Sequence, residues 1–162
     1  MDILPDGSLD YDNEVLAQLD YVIAAIHQSF NQSEDEIMKR LEVACKNPYV
    51  RHIAHPTGRI IGRRPGYKPN IEKLMKLAEE TNTILEINAN PKRLDLNAET
   101  VRKYPNVKLT INTDAHHTNH LEFMKYGVAT AQKGFVAKDR VVNALSREEF
   151  KSLIENNIKL RK

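Results

Sequence analysis

The chain has no tryptophan and a single cysteine, Cys45, among its 162 residues. Without Trp the core has to be aliphatic, built from Ile, Leu, Val and Ala with a few Tyr and Phe. One cysteine excludes an internal disulfide and suits a reducing cytoplasm. Within "LEVACKN" it reads as a small buried helical side chain rather than a nucleophile. No apolar run approaches the ~18 residues that suggest a membrane span. The opening "MDILPDGSLDY" is acidic and mixed, unlike a signal peptide. A strong excess of either charge is missing too. The net charge is +2, so bulk electrostatics do not announce nucleic acid. Repeats, low-complexity tracts and obvious linkers are also missing. What is present is ordinary for a globular protein, 41% hydrophobic and 28% charged, and long enough for one domain with a real core.

Short apolar runs alternate with amphipathic stretches. Strands are predicted at 21–27 ("YVIAAIH"), 50–55 ("VRHIAH"), 83–89 ("TILEINA") and 107–114 ("VKLTINTD"). Ser33 with Glu36 forms a capping box, and Ile37, Leu41 and Ala44 share the face of the helix that follows. Asn47-Pro48 ends that helix. Asn70 caps a second helix over 70–82, carrying Ile71, Leu74, Leu77 and Ala78 at helical spacing. Further helices are predicted over 97–104, around 121–125, and from 147 to about 157. This alternation predicts parallel βα units, an α/β fold.

In such folds chemistry gathers at the carboxyl ends of strands. The first predicted strand ends at His27 and the second at His55. The third carries Glu86, Asn88 and Asn90, and the fourth leads into Asp114 and His116. Imidazole and carboxylate suit borderline divalent metals such as Zn²⁺, Mn²⁺ and Fe²⁺. Asp114 and His116 are two apart, which on an extended chain puts both on one face. His27, His55, Asp114 and His116 are therefore the candidate metal ligands. His52 points away from His55 and reads as a surface or core residue. His117 and His120 read as loop and helix-start residues, with Thr118 as the cap. The loop after His55, "HPTGRIIGRRPGYK", carries Arg59, Arg63, Arg64 and Lys68. Guanidinium groups pair with phosphate in bidentate fashion, so a metal beside this loop suits a phosphate ester. Arg59, nearest His55, is the candidate phosphate-holding catalytic residue.

The segments "VIAAIHQSFNQSEDE", "IAHPTGRIIGRRPGY", "LEINANPKRLDLN" and "LTINTDAHHTNHLEFMKYGVATAQKG" together resemble the later part of a PHP (polymerase and histidinol phosphatase) domain. The likeness is to the PHP domain of bacterial family X DNA polymerases and runs over essentially the whole chain. The resemblance implies a distorted (β/α)₇, TIM-like barrel. It implies a cluster of up to three divalent ions, Mn²⁺ or Zn²⁺, at the strand ends. It implies phosphoester hydrolysis, here a 3′–5′ exonuclease that processes DNA 3′ ends in repair. The family's later ligands fall on His27, His55, Asp114 and His116.

The family's early His-x-His pair and its further Asp, His and Glu ligands have no counterpart in the sequence. Residues 1–162 are thus expected to be one domain, the C-terminal part of a PHP domain without its first strands and early metal motifs. Such a piece is expected to hold one ion at most, weakly, with little nuclease activity, and to leave a sheet edge exposed. A polymerase domain is expected upstream in cis, DNA as the partner, a cytoplasmic location, and self-association through the open edge. Two other readings stand beside this one. One is a non-catalytic DNA- or partner-binding domain that uses the basic loop 59–68. The other is a metal-dependent amidohydrolase, disfavoured because no lysine sits at a strand end and the arginine loop suits phosphate.

Overall fold

The computed structural model describes residues 1–160. Four parallel strands form one sheet in the order β1-β2-β3-β4, with β1 at Val22–Ala24, β2 at Val50–Ile53, β3 at Ile84–Asn88 and β4 at Leu109–Asn112. Each crossover carries one helix: α2 (Glu34–Lys46), α3 (Ile71–Glu80) and α4 (Ala98–Lys103). Ahead of β1 lies one short helix, α1 (Asn13–Leu16), which sequence periodicity is too brief to reveal. Beyond β4 come α5 (Met124–Lys133) and α6 (Arg147–Leu160). The α/β class is therefore as expected, and four parallel strands with helices are consistent with part of a PHP, TIM-like barrel. Among the described residues, no helix is long and apolar enough to cross a membrane.

Alternation along β3 and β4 divides the sheet chemically. Leu85, Ile87, Leu109 and Ile111 belong to the hydrophobic core cluster. The intervening Glu86, Asn88, Thr110 and Asn112 point to the opposite face. There Asn112 Nδ2 donates to Glu86 Oε1 at 2.9 Å and Asn88 Nδ2 donates to Glu86 Oε2 at 3.0 Å. Thr110 Oγ1 lies 2.9 Å from Nε2 of His52, which is buried in the core. Every residue of β3 is buried, as a parallel strand covered on both faces requires.

The predicted caps are present. Ser33 and Glu36 form the reciprocal box at α2, and Asn70 caps α3 through its side chain; Asn97, not singled out as a cap, does the same for α4. Several boundaries differ from the reading of the sequence: β1, expected to run to His27, ends at Ala24, and β2, expected to run to His55, ends at Ile53. A 3₁₀ turn spans Thr118–Phe123 and is capped by His117 rather than Thr118. The helix expected around 121–125 is α5, which runs on to Lys133. Within this helix a Cβ at Gly127 would sit 2.4 Å from Ile111 Cγ2 and 2.7 Å from Ala89 Cβ. Glycine stands there because the helix lies directly on the ends of β3 and β4. Along the outer edge of β1, Ile3 N donates to Ala25 O at 2.9 Å and Ala25 N to Met1 O at 3.1 Å. Residues 1–3 thus cover part of the edge expected to be bare. Cys45 is fully buried.

Candidate metal centre

The site is built around His55, just beyond β2. Its side chain is almost wholly buried, and its backbone takes a left-handed φ of 31°, unusual for a residue with a Cβ. Three contacts hold it there. His55 N donates to Glu86 Oε2 at 2.7 Å, Gly58 N donates to His55 O at 2.8 Å, and Tyr67 Oη donates to the same carbonyl at 3.2 Å. The Gly58 of "HPTGR" has φ 62°, and a Cβ on it would meet Tyr67 Cε1 at 2.3 Å. Only glycine lets the loop pass that close to the ring that fixes His55. Burial raises the pKa of Glu86, opposed by its hydrogen bonds to Asn112, His55 N and Asn88.

His27 lies beside His55, the ring centroids 5.1 Å apart in an edge-on arrangement. His27 Nδ1 contacts Asp2 Oδ1. Among the described residues, the Nδ1 of His55 is buried without a hydrogen-bond partner. Burial, then the charge of Arg93 and the nearby His27, lowers the His55 pKa to about 4. The imidazole is therefore neutral at physiological pH, the form that ligates metals.

The second pair comes from the loop after β4. Asp114 also has a left-handed φ, 52°. Its Oδ2 accepts from Arg93 Nε at 3.0 Å, and its Oδ1 lies 3.9 Å from His116 Nδ1. His116 Nδ1 lies 2.8 Å from the Asp114 carbonyl, and its side chain is 77% exposed. His116 N donates to His120 Nδ1 at 3.2 Å. Strained backbone at two candidate ligands fits a site whose geometry is imposed by its surroundings.

The structure thus gives two pairs, His27 with His55 and Asp114 with His116. Asp114 is near enough to His55 to affect its protonation. Among the described residues, no group of three or more His, Cys, Asp or Glu side chains is arranged to hold a metal ion. The donor types and the unspent Nδ1 of His55 suit a divalent cation. In this conformation they amount to part of a ligand set.

Arg59 is bonded to the backbone of residues 93 and 94. Its Nε donates to Arg93 O at 2.7 Å and its Nη2 to Leu94 O. Arg64 is likewise committed, donating to Gly58 O at 2.8 Å while its guanidinium lies 3.9 Å from the centre of the Phe30 ring. Arg63 and Lys68 are exposed. The guanidinium joined to a candidate ligand is that of Arg93, which sequence reasoning passed over, as it passed over Asp2. Nothing in local spacing marks either one. Arg93 is 21 positions from Asp114, and Asp2 is 25 from His27.

No family model matches the chain. It is 55% identical over 159 residues, 97% of its length, to the DNA polymerase/3′-5′ exonuclease PolX of Bacillus subtilis. Over nearly its whole length the chain is therefore similar to one segment of that PolX. It spans 28% of the length of that PolX. A probable phosphatase of Thermoanaerobacter sp. is 28% identical over 149 residues, 85% of this chain and 58% of that protein. Another, from Caldanaerobacter subterraneus, is 38% identical over 86 residues, 51% of this chain and 32% of that protein. The PolX likeness bears out the resemblance read from "HPTGR", "EINANP" and "NTDAH".

Proposed function

We propose that this chain is part of a metal-dependent phosphoesterase, the 3′–5′ exonuclease region of a family X DNA polymerase that trims DNA 3′ ends in repair. The observation that carries the reading is His55: buried, neutral, with an unspent Nδ1, beside His27 and within the field of Asp114. His27, His55, Asp114 and His116 would hold the ion, Mn²⁺ or Zn²⁺. When bound, such a cation supplies Lewis acidity to a phosphoryl oxygen. The chain's own residues do the rest. Glu86 and Tyr67 fix the His55 backbone, and Arg93 orients Asp114. Arg93 and Arg59 give the cationic side on which a phosphodiester is held. The PolX relative supports DNA as substrate, and the phosphatase relatives support phosphoester chemistry. A polymerase domain in cis, a cytoplasmic location and a weak or inactive isolated segment belong to the same reading.

The test is Mn²⁺-dependent shortening of a 5′-labelled single-stranded oligonucleotide by a PolX protein carrying this segment. His116→Ala should slow digestion at least ~10-fold. Equal rates would remove His116 from the site. The segment alone should digest far more slowly than the longer protein. A second reading, a non-catalytic DNA-binding domain, is favoured by one observation: the described residues assemble no three-donor group. Its signature would be binding that falls steeply with salt and needs no metal.

A further inference from the structure

Beside the candidate metal centre, between residues 91–98 and α5, lies an open cavity of about 570 Å³. That volume is within the ~300–1,000 Å³ usual for small-molecule sites. Arg59, Leu94, Asn97, Tyr126, Thr130 and Lys133 are among its walls, and among the described residues no carboxylate lines it. Two chains of contact join it to the candidate ligands. On one side Arg59 Nε donates to the carbonyl of Arg93, whose own Nε holds Asp114. On the other side a run of rings leads out from the Asp114 loop. His120 accepts from His116 N at 3.2 Å. His120 stacks on Phe123 with centroids 4.8 Å apart and planes 20° off parallel, and Phe123 meets Tyr126 at 6.2 Å.

We infer that this cavity is a nucleotide subsite, holding the base of a neighbouring nucleotide against Tyr126 and Leu94 and its phosphate between Arg59 and Lys133. The inference rests on the phosphoesterase reading for the identity of the nucleotide, a residue of the DNA strand beside the one attacked. Its chemistry rests on the cavity itself. An aromatic face with apolar neighbours is what a base stacks on, whatever its sequence. Two cations without an acid among the walls attract a phosphate and repel none. Arg59 has spent Nε and Nη2 on Arg93 O and Leu94 O, which holds the guanidinium in place and leaves Nη1 for a ligand. An apolar peptide would have no use for the two cations, and a bare anion none for the apolar wall.

The experiment is a titration of the chain with deoxythymidine monophosphate in EDTA, followed by heteronuclear NMR, with thymidine and inorganic phosphate titrated separately. Saturable binding is expected, with the largest shifts along 126–133, and dTMP should bind more tightly than either part. Lys133→Glu removes a cation, and Ala129→Phe fills the groove from an exposed position on α5. Each should weaken dTMP about 10-fold, equivalent to ~1.4 kcal/mol. Circular dichroism checks that both variants fold. Failure of dTMP to saturate, unchanged affinity in both folded variants, or inorganic phosphate binding as tightly as dTMP would overturn the subsite. If Mn²⁺-dependent digestion fails while dTMP binding behaves as expected, the phosphoesterase reading falls and the subsite stands.

Discussion

Arg93 and Asp114 pair at 3.0 Å, their side chains 16% and 23% exposed. A contact so sheltered is screened less than a surface ion pair. Arg93→Ala leaves the carboxylate without its cation and should cost about 1–3 kcal/mol, read by urea denaturation. In the Asp114→Asn background the same substitution should cost less. Equal costs would mean that the two residues do not act together. The histidines also differ by surroundings rather than by type. His52 is buried and contacts Thr110, and desolvation, with a smaller effect from His55, lowers its pKa from 6.5 to about 3. Below pH 6.5 the unfolded chain takes up a proton that the folded chain refuses. The His52 contribution is thus fully present above that pH and is lost as pH falls toward about 3, on the order of a few kcal/mol in all. Stability curves at a series of pH values should show this slope, and His52→Gln should flatten it. A wild-type slope retained in the variant would assign the effect elsewhere.

Secondary-structure elements were legible where local chemistry governs them and not where a neighbour does. The Ser33–Glu36 box, the Asn70 cap and the apolar spacing of α2 and α3 are short-range signals, and all four strands lie where the apolar runs are. Helix α5 runs further than the sequence reading placed it; Gly127 lowers its helix propensity, and the Ile111 and Ala89 contacts that require glycine come from distant parts of the chain. Propensity alone says Gly127→Ala should stabilise the helix by ~1 kcal/mol. Packing says the added methyl collides at 2.4 Å with Ile111, and overpacking costs ~1–3 kcal/mol. The collision should win, lowering the urea midpoint. A rise would mean that α5 can move off the sheet freely.

For the whole molecule, the sheet's outer boundary beside β1 is the point of interest. Ile3 is fully buried and its N–H bonds Ala25 O. Deleting residues 1–3 should cost ~2–5 kcal/mol, as for losing a core aliphatic, and should bare part of the β1 edge, promoting self-association. Light scattering that stays monomeric across concentration, with unchanged stability, would contradict this. Mn²⁺ titration by calorimetry should find no more than one weak site. Two or more tight sites would mean that the two ligand pairs rearrange into a fuller centre. The sequence by itself determined the α/β alternation, the caps of α2 and α3, the buried cysteine and the candidate ligand residue types, because hydrophobic period and capping chemistry act over a few residues. It also placed His27 and His55 beyond the first and second strands and Asp114 and His116 beyond the fourth. Only the tertiary structure decided that Glu86 and Tyr67 lock His55, that Arg93 takes Asp114 while Arg59 bonds the backbone of residues 93 and 94, and that Asp2 meets His27. Those contacts join residues 12 to 35 positions apart, and which side chains meet across a sheet depends on register and packing that no local pattern encodes.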